Sequence, residues 1–227
     1  GRADVAVAQR SQIALLEARQ WLEELADERR RQPRDDLLTR FVQAEEQGDR
    51  LDENEMFSTC VTFMIGGHET TTNLIGNGML ALLKNPDQWS LLQQDSTLIE
   101  SAVEEMLRYD APTQRAHRIA TQDIELRGKT IRKGDFVQSV LGSANRDPEM
   151  FSNFDRFDIT RKTNKPLSFG AGPHYCVGAP LSRLEAQLAM LTFIDRLPNL
   201  RLAADDSPEL SSNNFFRGRT RITLEFD

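Results

Sequence analysis

The stretch Phe169-Gly170-Ala171-Gly172-Pro173-His174-Tyr175-Cys176-Val177-Gly178 sets three glycines around one cysteine. Glycines on both sides of a cysteine let the backbone approach a flat ligand and aim its N–H groups at the sulfur. Strong helix formers begin at Ala179, so Cys176 stands where a helix starts and the helix dipole favours its thiolate. Two readings stay open on these residues alone. A lone cysteine before a helix is more often a buried, inert thiol, whereas flanking glycines suit a sulfur offered to a ligand. Zinc would need further Cys or His ligands at short spacing, and His174 alone is near and poorly placed.

The 227 residues are 39% hydrophobic and 28% charged, with a net charge of −7 and a pI of about 5.1. That composition excludes global disorder, and an acidic chain argues against a nucleic-acid binder relying on phosphate neutralisation. No apolar run approaches the roughly 18 residues of a membrane span. Two cysteines far apart, Cys60 and Cys176, are no disulfide framework and fit a reducing compartment. The chain opens Gly1-Arg2-Ala3-Asp4, without an initiator Met or an apolar signal core, and reads as a soluble cytoplasmic protein or a piece of one.

Helix formers run from Asp4 to about Arg31, with Val5, Ile13, Leu16, Trp21, Leu22 and Leu25 at helical spacing, until Pro33 ends the run. Arg29-Arg30-Arg31 reads as a solvated helix C-terminus, where cations suit the dipole, rather than a nucleic-acid patch. A shorter helix spans Asp35 to about Gln47, with Leu37, Leu38, Phe41 and Val42 inward, and Gly48 stops it. Asp52 caps a third helix, with Glu55 in capping-box position. It runs to Lys84 over about 30 residues, or about 45 Å. Its middle, Gly66-Gly67-His68-Glu69-Thr70-Thr71-Thr72, weakens a helix by up to about 1 kcal/mol per residue, so something other than helix propensity selected it. Helices follow at Pro86–Gln94 and Leu98–Tyr109, with Pro112 forcing the exit. The pattern then turns to period two. Arg118–Ala120, Ile124–Leu126 and Phe136–Val140 read as strands, separated by turns at Arg127-Gly128-Lys129 and Lys133-Gly134-Asp135. A polar, irregular stretch from Asn145 to Pro166 leads into the glycine loop. A long helix from Ala179 to about Leu197 and short strands around Leu200–Leu202 and Arg221–Phe226 close the chain.

A single axial thiolate on haem iron needs no second protein ligand. The loop closely resembles the cytochrome P450 haem-binding signature Phe-Gly-x-Gly-x-His-x-Cys-x-Gly, matched at every specified position from Phe169 to Gly178. The match continues into Ala179-Pro180-Leu181-Ser182-Arg183-Leu184-Glu185, a run typical of soluble bacterial members. The resemblance implies a mainly α fold with small antiparallel β-sheets (α+β) and haem b as cofactor. It implies Cys176 as the proximal thiolate on the iron, with His174 bonded to a haem propionate. It also implies Phe169 packed beside sulfur and haem, with Gly170, Gly172 and Gly178 shaping the loop. Gly66-Gly67-His68-Glu69-Thr70-Thr71 is similar to the family's oxygen-binding segment. There Gly66 leaves room for O2, a Thr loosens helical hydrogen bonding to make a groove for water, and Glu69 and Thr70 form the acid–alcohol pair that relays protons. His68 takes no catalytic role.

Glu105-Met106-Leu107-Arg108 matches the family's Glu-x-x-Arg helix. Such a pair alone usually means a surface ion pair; the resemblance implies a buried one, joined by Arg156, with Phe154 where many relatives carry Pro. Arg118 occupies the position that donates to a haem propionate, as a bidentate guanidinium suits a carboxylate. Substrate contacts, by resemblance, come from Phe63 and Met64, from Thr113–Ala116 and from Asn213-Asn214-Phe215-Phe216. Lys162, Lys165 and Arg183 on the haem-loop face could steer an acidic iron–sulfur or flavin partner, although a solvated face explains them equally well.

The expectation is a haem-thiolate monooxygenase using O2, a small organic substrate and a ferredoxin or flavoprotein electron donor, with neither nucleic acid nor membrane as partner. Residues 1–227 then form the C-terminal, haem-binding part of one domain, from the helices before the long distal helix onward. The N-terminal part would be absent, leaving apolar surface for self-association or for pairing with that part. Two alternatives are a truncated haem-binding module or remnant without monooxygenase activity of its own, and a peroxide-driven route, which the Glu69–Thr70 pair disfavours.

Overall fold

The computed structural model describes residues 2–46, 51–162, 164–204, 207–212 and 215–227; Gln47 and Gly48, expected to end the second helix, lie outside them. The chain divides into two compact units, Gly1–Gly66 and Gly67–Asp227. Caps decide where the second and third helices begin. Helix α1 spans Arg2–Arg31 and α2 spans Leu37–Glu46. The cap of α2 is Asp36, whose carboxylate accepts the Thr39 amide N–H at 2.8 Å and the Arg29 guanidinium at 2.7 Å. Helix α3 covers Glu53–Lys84, 32 residues. It opens on the expected capping box, with Glu55 N–H donating to Asp52 at 2.8 Å and Asp52 N–H donating back to Glu55 at 2.9 Å.

The amide of Thr39 and then the Arg29 guanidinium hold the Asp36 carboxyl at about 2, down from 3.8. A depressed acid adds stability that is complete above its ordinary value and is lost as pH falls through the folded one. Helicity and denaturation midpoint are therefore expected to drop between about pH 4 and pH 2, more in the wild type than in Asp36→Asn. Circular dichroism along a pH series checks this, and identical profiles would remove Asp36 as the titrating cap.

In the first unit, Leu22 and Ala26 of α1, Val42 of α2, and Met56 and Cys60 of α3 form the buried cluster, with Leu38, Phe41, Phe57 and Val61 packed against it. Val5, Ile13, Leu16 and Trp21 are exposed, contrary to the helical-face expectation, because α1 joins this cluster only through its last third. Leu37 is exposed as well, since α2 turns Leu38, Phe41 and Val42 inward. Apolar periodicity shows where a face is, not whether an element covers it.

The second unit is built on α4 (Pro86–Gln94), α5 (Ile99–Tyr109) and α7 (Ala179–Arg196) around the later turns of α3. A 3₁₀ turn, Ser96–Leu98, precedes α5. Leu74, Leu82, Leu92, Val103, Met106 and Met190 are almost fully buried there. Gly78 permits a close approach: a Cβ on it would lie 2.5 Å from Met106 Sδ. Among the described residues the strands form three two-stranded antiparallel sheets. Strand β1 (Arg115–Ile119) pairs with β4 (Phe136–Val140), β2 (Ile124–Leu126) with β3 (Lys129–Ile131), and β5 (Arg201–Leu202) with β6 (Leu224–Glu225). A single helical turn, α6 (Leu141–Ala144), follows β4. The mainly α fold with small antiparallel sheets is thus as expected.

The stretch after α6 is irregular, but it is not merely polar. Asn145, Phe151, Phe157, Ile159 and Ser168 are buried, and Phe157 and Ile159 belong to the core. Among the described residues no helix is long and apolar enough to cross a membrane.

Candidate functional site

The glycine loop presents its sulfur outward. Gly170 and Gly172 sit at φ 73° and 71°, in the left-handed region that other residues reach at a cost. Ala171 between them is extended, and a 3₁₀ turn covers Gly172–His174. The loop closes where Cys176 N–H donates to the Phe169 carbonyl at 3.0 Å and Gly170 N–H donates to the Leu167 carbonyl at 2.8 Å. Gly178 is the N-cap of α7, Pro180 lies in that helix's first turn, and Ala179 anchors it at 0% exposure. Cys176 is a free, exposed cysteine, whereas Cys60 is buried and burial pushes its thiol up.

This geometry fits a flat group lying on the sulfur. A Cβ on Gly172 would meet no atom within 4 Å, and one on Gly178 would only touch Cys176 Sγ at 3.8 Å. The missing side chains leave the approach open instead of relieving a clash within the protein. Val177 is 81% exposed beside the sulfur, and Tyr175, Leu181, Leu184 and Leu188 are exposed apolar neighbours along the loop and α7. His174 is exposed on the same loop. Among the described residues no three His, Cys, Asp or Glu side chains converge on a metal position, so one sulfur has to suffice for any iron held here.

Behind the loop lies a buried polar frame. Arg108 donates to Glu105 in a fork, Nε at 2.7 Å and Nη2 at 2.8 Å, and both side chains are 0% exposed. Its remaining N–H groups reach the carbonyls of Asn145, Phe154 and Arg156 at 2.8 to 3.0 Å. The third member is Arg161, not Arg156: Arg161 Nε donates to Glu105 at 3.2 Å. Arg156 turns its carbonyl to Arg108, and its side chain is exposed. Asn164 and the Asp158 amide complete the carboxylate at 3.0 and 2.8 Å.

A second chain of bonds ties this frame to the loop. Asn145 accepts the Leu167 amide at 2.7 Å and donates to Ser168 at 2.8 Å, and Ser168 donates to the Leu107 carbonyl at 2.6 Å. Ser168 immediately precedes Phe169. Sequence reasoning missed Arg161, Asn164, Asn145 and Ser168; their only signal was polar residues interleaved with Phe151, Phe157 and Ile159 in a segment without periodicity.

Helix α3 stays α-helical through Gly66–Thr72. Thr72 Oγ1 donates to the His68 carbonyl at 2.9 Å, and the buried Thr71 donates to Ser182 of α7 at 3.3 Å. That bond brings the Glu69–Thr70 segment to the first turn of the helix that follows Cys176. Glu69 and Thr70 are half-buried, and a Cβ on Gly66 would find no atom within 4 Å. Arg118 is exposed on β1 opposite Val137 and donates to the His117 carbonyl at 2.7 Å; among the described residues no hydrogen bond joins it to the loop. Phe63 and Met64 are exposed on α3. Thr113 bridges to Phe216, and Phe215 meets Phe216 edge to face at 4.8 Å; Asn213 and Asn214 lie outside the described residues. Lys162 and Lys165 are exposed. Arg183 is no free surface cation, being paired with Glu104.

The chain matches the family model "Cytochrome P450" over residues 6–226. It is 48% identical over 191 residues to the biotin biosynthesis cytochrome P450 of Bacillus subtilis, covering 84% of this chain and 48% of the relative. To the cytochrome P450 monooxygenase PikC of Streptomyces venezuelae it is 45% identical over 200 residues, 87% of this chain and 48% of the relative. The crystal structure of P450BioI in complex with a hexadecenoic-acid-ligated acyl carrier protein superposes with a TM-score of 0.88 at 44% identity, covering 93% of this chain and 54% of that one. The chain spans about half the length of the curated relatives it matches.

Proposed function

The chain belongs to the cytochrome P450 family, and from that membership we propose that it carries the haem-thiolate centre of a monooxygenase acting on an organic small molecule. Members of the family bind haem. One observation carries the reading here: a free, exposed cysteine offered by a loop with two left-handed glycines at the start of a helix. In this reading one atom of O2 enters the substrate, by hydroxylation or epoxidation, and the other leaves as water. Two electrons come from a ferredoxin or flavoprotein, and two protons come from solvent.

Haem, when bound, supplies the binding and activation of O2 at iron. The protein does the rest. The Cys176 sulfur would ligate the iron, and His174 and Arg118 would donate to the propionates. Phe169 packs beside the sulfur, Gly170, Gly172 and Gly178 keep its approach open, and Gly66 leaves its part of α3 uncovered. The Glu69 carboxyl and the Thr70 hydroxyl pass protons inward, an acid beside an alcohol being suited to that transfer. Thr113–Ala116 and Phe215–Phe216 contact the substrate, and Lys162 and Lys165 meet the electron donor. The P450BioI structure with a hexadecenoic-acid-ligated acyl carrier protein makes fatty-acyl compounds the first panel for substrate binding.

The test is to supply haem, reduce the protein under carbon monoxide and record its absorption. The expected result is the long-wavelength Soret band that marks thiolate ligation. A carbonyl band typical of a histidine-ligated haem, or no haem binding at all, would overturn the reading.

A further inference from the structure

Arg183 touches both aromatic side chains of the cysteine loop. Its guanidinium lies over the Phe169 ring at 4.6 Å, and Nη1 donates to the Tyr175 hydroxyl at 3.1 Å. Phe169 and Tyr175 meet edge to face at 6.4 Å, and the Phe169 carbonyl receives the Cys176 N–H. On its other side Arg183 forms a fork with Glu104 of α5, Nε to Oε1 and Nη2 to Oε2. The two side chains are only 28% and 24% exposed, so solvent screens their charges incompletely. Glu104 adjoins Glu105, the acid of the buried frame, so α5 grips the loop's supports at consecutive residues.

We propose that Arg183, braced by Glu104, is a positioning residue that holds the cysteine loop and sets the electrostatic field at the Cys176 sulfur. Resting on the haem-thiolate reading above, the pair thereby tunes the potential of the ligated iron. A cation near the sulfur favours the reduced, more negative centre, and the Glu104 carboxylate offsets it. The balance of the two charges therefore decides the sign of each substitution. Glu104→Gln uncovers the cation and raises the potential. Arg183→Gln uncovers the carboxylate and lowers it. The double variant returns towards the wild type.

The experiment is a one-electron ferric-to-ferrous titration with a chemical reductant on the haem-loaded protein and these three variants, beside hydrogen exchange of the Phe169–Gly178 amides. At a fixed potential the ferrous-to-ferric ratio should shift at least about threefold, upward in Glu104→Gln and downward in Arg183→Gln, as expected for a partly screened charge. Arg183→Lys should keep the potential yet loosen the loop, because an ammonium retains the charge and loses the planar fork. A merely structural pair would move both single variants in one direction, and that result, or unmoved potentials, overturns the proposal. A wild type without the thiolate carbonyl band overturns the haem-thiolate reading instead, and the proposal with it.

Discussion

Arg108→Ala is expected to cost about 3–5 kcal/mol, the penalty for breaking a buried ion pair, and to bring the protein close to unfolding at ordinary temperature. The wild-type margin of a domain is only about 5–15 kcal/mol, so the loss takes a large share of it. Two effects add up. The Glu105 carboxylate loses its forked partner inside the core, keeping Arg161, Asn164 and one amide. The carbonyls of Asn145 and Phe154 also lose their Arg108 donor, while that of Arg156 keeps Arg161 Nη2 at 3.3 Å, and each buried unsatisfied group costs about 1–3 kcal/mol. Arg161→Ala should be milder, because Glu105 then keeps both bonds from Arg108. Urea denaturation gives the ranking. A double variant Glu105→Ala/Arg108→Ala that costs as much as the two single changes together would show the side chains are uncoupled, against the geometry.

Cys176→Ser is expected to leave the fold intact and abolish the thiolate spectrum. The side chain is exposed and free, and substitutions at such surface positions usually stay within about 0.5 kcal/mol. Loop closure uses the Cys176 backbone N–H and not the sulfur, so the serine variant keeps that bond. The measurement pairs a denaturation curve with the reduced carbonyl spectrum. An unchanged long-wavelength band in the variant would show that the iron takes its ligand elsewhere. Loss of stability with the spectrum would make Cys176 a structural residue first. Frame and chemistry thus separate: Arg108 should affect stability, and Cys176 the iron.

Legibility along the chain followed the range of the interactions. The capping box of Asp52 and Glu55, the breaks at Pro33 and Pro86, the two-residue turn at Arg127-Gly128 and the glycine loop before α7 all depend on residues a few positions apart. They could be read in the linear string because local geometry demands particular side chains at fixed offsets. The loop's geometry was legible for the same reason: glycines, cysteine and helix start lie within ten residues. The long α3 was also expected, and it remains continuous through Gly66–Thr72 although its composition argues against helix.

What escaped was decided by contacts distant in sequence. The partner of Glu105 came from Arg161, 56 positions on, while Arg156 offered the right residue type with its carbonyl facing inward. Nothing in the string distinguishes these two arginines, because which one reaches the carboxylate depends on the path of an aperiodic segment. Arg183 read as a surface cation until α5 placed Glu104 beside it. The apolar stripe of α1 promised burial that only its last third receives. Local sequence therefore specified the helices, their ends and the exposed sulfur, since a turn or a cap closes over a handful of bonds. Only the packed structure chose the charge partners and the buried faces, since burial and ion pairing depend on which distant segments share the same low-dielectric space.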